Sequence, residues 1–198
     1  MAKQTRILLA LGEIVPVIFW ATLVLCGFLY GEYDHLRRLV SELGAIGAPS
    51  QHVFMAGLLA CAALGVLFVI GLARACRARG ISAAPAWILL AFSASLAGAA
   101  LFPLPLRLHL WMGLPSILTL LSPLAALMLW RRERRLAGTV PLALAVLVLF
   151  LLGATAFWPE IMGTLLGLKQ RFFHLGWSLW FVGLSRAFRH PLKEESNP

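Results

Sequence analysis

Four of the five histidines, His35, His52, His109 and His174, fall at the same ends of the chain's apolar stretches, and Asp34, Glu42, Glu160, Arg107 and Arg171 fall there with them. Imidazole, carboxylate and guanidinium side chains together supply acid–base catalysis, metal ligation and anion recognition. Arg171 and His174 are three residues apart, which places them on one face of a helix, with Gln170 beside them. Three chemistries use these residues. In the first, a guanidinium holds a lipid phosphate bidentately, so Arg171, Gln170, His109, Glu42, His52 and Arg107 form a ligand-binding set in which Glu42 meets an amine headgroup or pairs with Arg171. In the second, His109, His174 and a carboxylate such as Glu42 bind a metal and activate water for ester or amide cleavage, or Ser41 acts as nucleophile near His109 or His52. In the third, His109 and His174 are axial ligands to a haem.

The spacing favours none of the catalytic versions. No His-Glu-x-x-His pattern and no Gly-x-Ser-x-Gly elbow is present, so any such site is assembled from separate segments. A lone histidine at an apolar boundary is equally an interfacial residue, and an exposed Glu42 or Arg171 is equally a solvated charge or a loop-to-bundle ion pair. No cofactor is required by these residues, although a metal is compatible with them. Glu13 differs from the rest because it lies within an apolar stretch, where a carboxylate is a functional candidate by default, and Pro16 nearby frees a backbone acceptor.

The segments that must position these groups are six apolar runs, near residues 7–30, 53–73, 86–102, 108–130, 141–158 and 171–188, in a chain that is 61% hydrophobic. Each approaches the ~20 residues that a tilted helix needs to cross a bilayer. The expected architecture is all-α: one polytopic domain over residues 1–198 with six transmembrane helices. Of the 17 lysines and arginines, only Arg37, Arg38, Arg107, Lys169 and Arg171 fall on the side that carries the odd-numbered loops. Retention of cations on the cytoplasmic side therefore puts both termini in the cytoplasm of an inner-membrane protein, with the polar cluster facing outward and only His190 facing inward. The Lys3 and Arg6 start resembles a signal peptide, but Glu13 and Pro16 interrupt the apolar core such a segment needs.

The net charge of +9 sits in short loops beside the spans, which excludes nucleic acid as a partner and leaves membrane lipids, or another membrane protein. Cys26, Cys61 and Cys76 lie within or at the ends of spans and are expected to pack. Trp111, Trp158 and Trp177 are expected at the outer interface and Trp87 and Trp130 at the inner one. Ala56, Ala60, Ala63, Ser93, Ala97 and Gly98 are expected to let helices approach closely. In the first outer loop, Leu36, Leu39, Val40 and Leu43 recur at helical spacing opposite Arg37, Arg38, Ser41 and Glu42. That pattern predicts a short amphipathic helix from an Asp34 N-cap to a Gly44 stop, with Ser50 capping the second span.

Several blocks also carry a resemblance. Ser41-Glu42-Leu43-Gly44-Ala45, Gly47-Ala48-Pro49, Val53-Phe54 with Gly57, Leu101-Phe102-Pro103 ahead of His109, and Gly167-Leu168 with Gln170-Arg171 resemble the six-helix membrane family known as domain of unknown function 998. The resemblance covers nearly the whole chain. It implies the six-span fold and draws attention to Ser41, Glu42, Pro49, Pro103, His109, Gln170 and Arg171. The first block is also similar to the outer loop of a eukaryotic six-helix family of GPI-anchor lipid-remodelling factors, which implies lipid handling on the outer face. The leading expectation is an outward-facing polar site for a lipid or lipid-like ligand, with a metal-dependent hydrolase and a haem protein as alternatives.

Overall fold

Helix α1 (Lys3–Tyr30) runs 28 residues and contains Pro16 without ending there. In water a mid-helix proline costs about 3 kcal/mol, but in hydrocarbon nothing competes for the backbone groups and the helix persists. Helix α2 (Gln51–Ala78) is equally long. A computed structural model describes residues 2–133, 136–158 and 160–189, and among them every regular element is helical. Arg134, Arg135, Pro159, His190 and Lys193 lie outside the described residues.

Prolines shape the middle of the chain. The third apolar run is two helices, α3 (Ala84–Ile88) and α4 (Leu90–Leu101), with Pro85 in the first turn of α3, where a missing N–H costs nothing. The fourth is α5 (Arg107–Gly113), a 3₁₀ stretch over Leu114–Leu120 that begins at Pro115, and α6 (Leu121–Leu129). The hydroxyls of Ser116 and Ser95 both donate to the Gly113 carbonyl, at 2.7 and 3.2 Å, at the step where the ladder changes type. Helix α7 (Thr139–Ala154) tightens into a 3₁₀ turn over Thr155–Phe157, and α8 (Leu166–Arg189) closes the bundle.

These elements match the six expected runs, each within a few residues. Five segments are long and apolar enough to cross a membrane: Lys3–Tyr30, Gln51–Ala78, Ala84–Leu101, Arg107–Leu129 and Thr139–Phe157. Helix α8 has the length but a more polar composition, which it tolerates by turning Lys169, His174, Ser178 and Ser185 inward and leaving Leu175 and Leu179 outside. It packs on α7 and α1, α1 packs on α2, and α2 on α4. The core along α8 is aromatic, with Trp177 5.0 Å from Phe19, 4.5 Å from Phe92 and 5.4 Å from Phe181 between ring centroids. The exterior is apolar too: Val17, Phe28, Leu110, Met128, Val148 and Leu151 are all more than half exposed, a surface suited to hydrocarbon and not to water.

Three expectations about packing are corrected. Trp177 and Trp130 are buried core residues, while Trp111, Trp158 and Trp87 are exposed. Trp130 points inward because its indole N–H donates to the Ser82 carbonyl at 2.8 Å. Ala56, Ala60 and Ala63 face outward, whereas Gly98 against Met112 and Ser93 against Gly65 make close approaches as expected, and Gly71, where an added Cβ would lie 2.6 Å from Leu8 Cβ, makes another. The cysteines, as expected, are buried and free.

The 31–50 loop is not one amphipathic helix. The Asp34 carboxylate caps a single turn by accepting from the Leu36 and Arg37 N–H groups at 2.9 and 3.2 Å. Leu39 is extended, and a 3₁₀ helix over Val40–Gly44 follows. The break has a cause: Glu42 takes the Leu39 N–H at 2.8 Å and Gln170 takes the Val40 N–H at 2.7 Å, so neither is left for a continuous helix. Val40 and Leu43 are buried, so the loop plugs the end of the bundle. Ser50 sits at the N-cap of α2, but its hydroxyl donates to the Leu43 carbonyl at 2.6 Å and ties the loop shut instead of capping the helix.

Candidate functional site

Beneath that plug lies a cavity of about 280 Å³. Leu39, Val40 and Ser41 roof it; Phe54 and Leu58 of α2, Ser95 and Leu96 of α4, His109 of α5, Ser116 and Ile117 of the 3₁₀ stretch, Phe150 and Gly153 of α7, and Gln170, Phe173 and His174 of α8 complete its walls. The lining is overwhelmingly apolar, with a few polar groups, as in most small-molecule sites. Ile117 and Phe157 line it and are also strongly exposed on the bundle's flank, at 46% and 66%.

The structure brings together Ser41, His109, Gln170 and His174 from the residues expected to act, and leaves the others outside. His109 Nδ1 lies 2.8 Å from the Phe102 carbonyl, which only accepts, so Nδ1 carries the proton and Nε2 is the acceptor of the neutral ring. His174 is the opposite tautomer: Trp177 donates its indole N–H to Nδ1 at 3.1 Å, which leaves the proton on Nε2. That buried Nε2 has no hydrogen-bond partner. Phe19 and Phe173 stack around the ring at 4.8 and 5.8 Å. Gln170 spends its carbonyl oxygen on Val40.

Arg171 and Glu42 do not pair with each other. Arg171 donates to the Gly167 carbonyl and to His35 Nδ1, both at 2.9 Å, and lies 5.9 Å from the centre of the Tyr33 ring. Glu42 accepts from Arg38 Nε at 2.7 Å, and Arg38 in turn donates to the Tyr30 hydroxyl at 2.6 Å and sits over that ring. Tyr33 donates to the Leu39 carbonyl at 2.6 Å. Charge and burial tune this network: Glu42 holds the Arg38 guanidinium above its usual range, and the Leu36 and Arg37 N–H groups with the Arg37 charge hold Asp34 below the usual carboxylate range. Burial, then the Arg171 charge, pushes the His35 imidazole down. Its role is structural: it latches the roof to α8, and Leu168 N–H to Leu36 carbonyl at 2.8 Å adds a backbone tie.

His52 and Arg107 are exposed at the starts of α2 and α5, away from the cavity lining. Glu13 lies at the opposite end of the bundle and accepts from Ser185 Oγ at 3.1 Å and Arg189 Nη1 at 3.0 Å, so the intramembrane carboxylate is an ion pair between α1 and α8. Lys169, expected as a loop cation, is fully buried and donates to the Trp158 carbonyl at 3.1 Å. Among the described residues no group of three or more His, Cys, Asp and Glu is arranged to hold a metal, because Glu42 turns to Arg38 and leaves His109 and His174 without a carboxylate. No serine hydroxyl among the described residues hydrogen-bonds to either imidazole. The sequence reading missed Ser95 and Ser116; hydroxyls inside apolar runs beside Pro115 were the available signal.

Helices with apolar exteriors around a largely apolar internal chamber define a multi-pass membrane protein. The chain belongs to the family described as Protein of unknown function (DUF998), whose model matches residues 14–187, from α1 to α8. No match is found among curated proteins or among solved structures, and the weaker likeness of the first loop to GPI-anchor remodelling factors has no support.

Proposed function

We propose that this protein binds a lipid or lipid-like ligand in the cavity under the 31–50 loop. The observation that carries the reading is the pair Ile117 and Phe157, which line the chamber and are also exposed on the apolar flank of the bundle, and in this reading they form the route by which an apolar chain passes from bilayer to cavity. Phe54, Leu58, Phe92, Leu96, Phe150 and Phe173 offer that chain the contacts it loses on leaving lipid. In this reading the cavity end faces outward from an inner membrane and both termini are cytoplasmic, which follows from the cations at the other end. Membrane lipid is the partner; nucleic acid is not.

The test is a native mass spectrum of the gently released protein beside Leu58→Trp, which fills the chamber with a larger side chain. A defined lipid adduct on the parent that is lost from Leu58→Trp supports the reading. A parent without an adduct, or an adduct equally present on Leu58→Trp, overturns it.

A further inference from the structure

We infer that the part of the ligand inside the cavity is uncharged and presents a carbonyl oxygen that accepts the Nε2–H of His174. The inference rests on the lipid-binding reading above and narrows it to a neutral lipid whose carbonyl belongs to a glycerol ester or to a quinone ring. Three observations converge on it. First, no Asp, Glu, Lys or Arg lines the chamber. A phosphate or ammonium drawn inside would lose its hydration with no countercharge in return. Second, the nearest guanidinium along α8, Arg171, already donates to Gly167 and His35, so it is not held in reserve for an anion. Third, among the described residues the one buried side-chain polar atom of the lining that the protein leaves without a partner is a donor. Gln170 spends its acceptor on Val40, which leaves its amide N–H₂. His174 keeps a buried N–H that nothing in the protein satisfies. Buried donors without partners are rare because each costs the full desolvation of the group, and an acceptor on a bound ligand removes that cost.

The ring is also held ready for the task. Trp177 fixes the tautomer, and Phe19 and Phe173 pack against the imidazole tilted and edge-on, with ring centroids 4.8 and 5.8 Å away.

The experiment titrates the full-length protein in detergent with 1,2-dioleoylglycerol, decylubiquinone and dioleoyl phosphatidic acid, and reads bound fraction by native mass spectrometry. His174→Phe, which keeps an aromatic ring and removes the donor, and His174→Gln, which restores an N–H, are titrated beside it. At least one neutral probe is expected to bind at least tenfold more tightly than phosphatidic acid; His174→Phe is expected to weaken it roughly tenfold and His174→Gln to recover most of the loss. Dioleoylglycerol binding alone identifies a glycerolipid, decylubiquinone binding alone a quinone. Phosphatidic acid binding as tightly as the neutral probes overturns the inference and needs no variant, so it decides even if His174→Phe does not fold. Neutral binding that His174→Phe leaves unchanged also overturns it while preserving the lipid reading. If no probe binds the parent protein, both readings fall together.

Discussion

At the scale of residues, the tie between His35 and Arg171 decides how firmly the cavity is roofed. His35 accepts a hydrogen bond from Arg171 only while its own ring is neutral, and burial and the guanidinium charge hold its affinity for a second proton below the ordinary value. The Asp34 charge pulls the other way, and the Tyr33 ring stands edge-on at 4.8 Å. The sign follows: a group whose folded pKa is depressed stabilises the fold above its unfolded value near pH 6.5, and that stabilisation is lost as pH falls through and below this value. The partial exposure of His35 limits the effect to about 1 kcal/mol or less. Thermal melting in detergent is expected to show a larger fall from pH 8 to pH 5 in the parent than in His35→Gln, whose amide oxygen accepts from Arg171 at both pH values. Equal falls would remove His35 from the latch. Residue types identified Ser41, His109 and His174 as candidates and the family resemblance added Gln170, and these four share the cavity; Glu42 and Arg171 were paired wrongly because Arg38, His35 and Tyr33 compete for them through a fold that spacing does not encode.

At the scale of elements, helix contacts in this bundle depend on where a backbone is bare. Gly71 of α2 faces α1, where an added Cβ would stand 2.6 Å from Leu8 Cβ and 3.1 Å from the backbone of Leu8 and Leu9. A flexible side chain can move aside, but a helix backbone cannot, so Gly71→Leu is expected to lower stability by about 1–3 kcal/mol. Gly138→Ala, at a glycine with open space around it, serves as the control and is expected to shift the melting temperature little. A Gly71→Leu protein that melts with the parent would show that α1 and α2 do not pack as described. The six apolar runs were legible from hydropathy, because it acts locally. The loop over residues 31–50 was not, since Gln170, 130 residues downstream of Val40, removes an N–H from the helix that periodicity predicts. Gly98 and Ser93 were read correctly as contact residues, but Ala56, Ala60 and Ala63 were not, because periodicity does not say which stripe of an all-apolar helix meets a neighbour and which meets lipid.

At the scale of the whole molecule, orientation and site are one question, since an outward cavity and an inward one would sample different leaflets. Ile46 is 54% exposed at the loop end, and Lys3 is exposed at the other. The native cysteines are buried, so added ones report cleanly in the folded protein. Ile46→Cys is expected to react with a membrane-impermeant maleimide in intact cells, and Lys3→Cys only after permeabilisation. The reverse pattern would invert the topology and move the cavity to the cytoplasmic leaflet.

Helix α8 has a further consequence for how the protein comes to exist in its membrane. Its first turns carry Lys169, Gln170, Arg171 and His174, groups that a translocon does not readily release into lipid as an isolated segment. Their protein partners, the carbonyl of Trp158, the loop residues His35 and Val40, and the indole of Trp177, exist only once the earlier helices are in place or α8 itself has coiled. Glu13, in the first helix to emerge, waits the length of the chain for Ser185 and Arg189. An α1 inserted without α8 therefore holds a carboxylate in the bilayer whose two described partners are missing, and the docking of α8 supplies both.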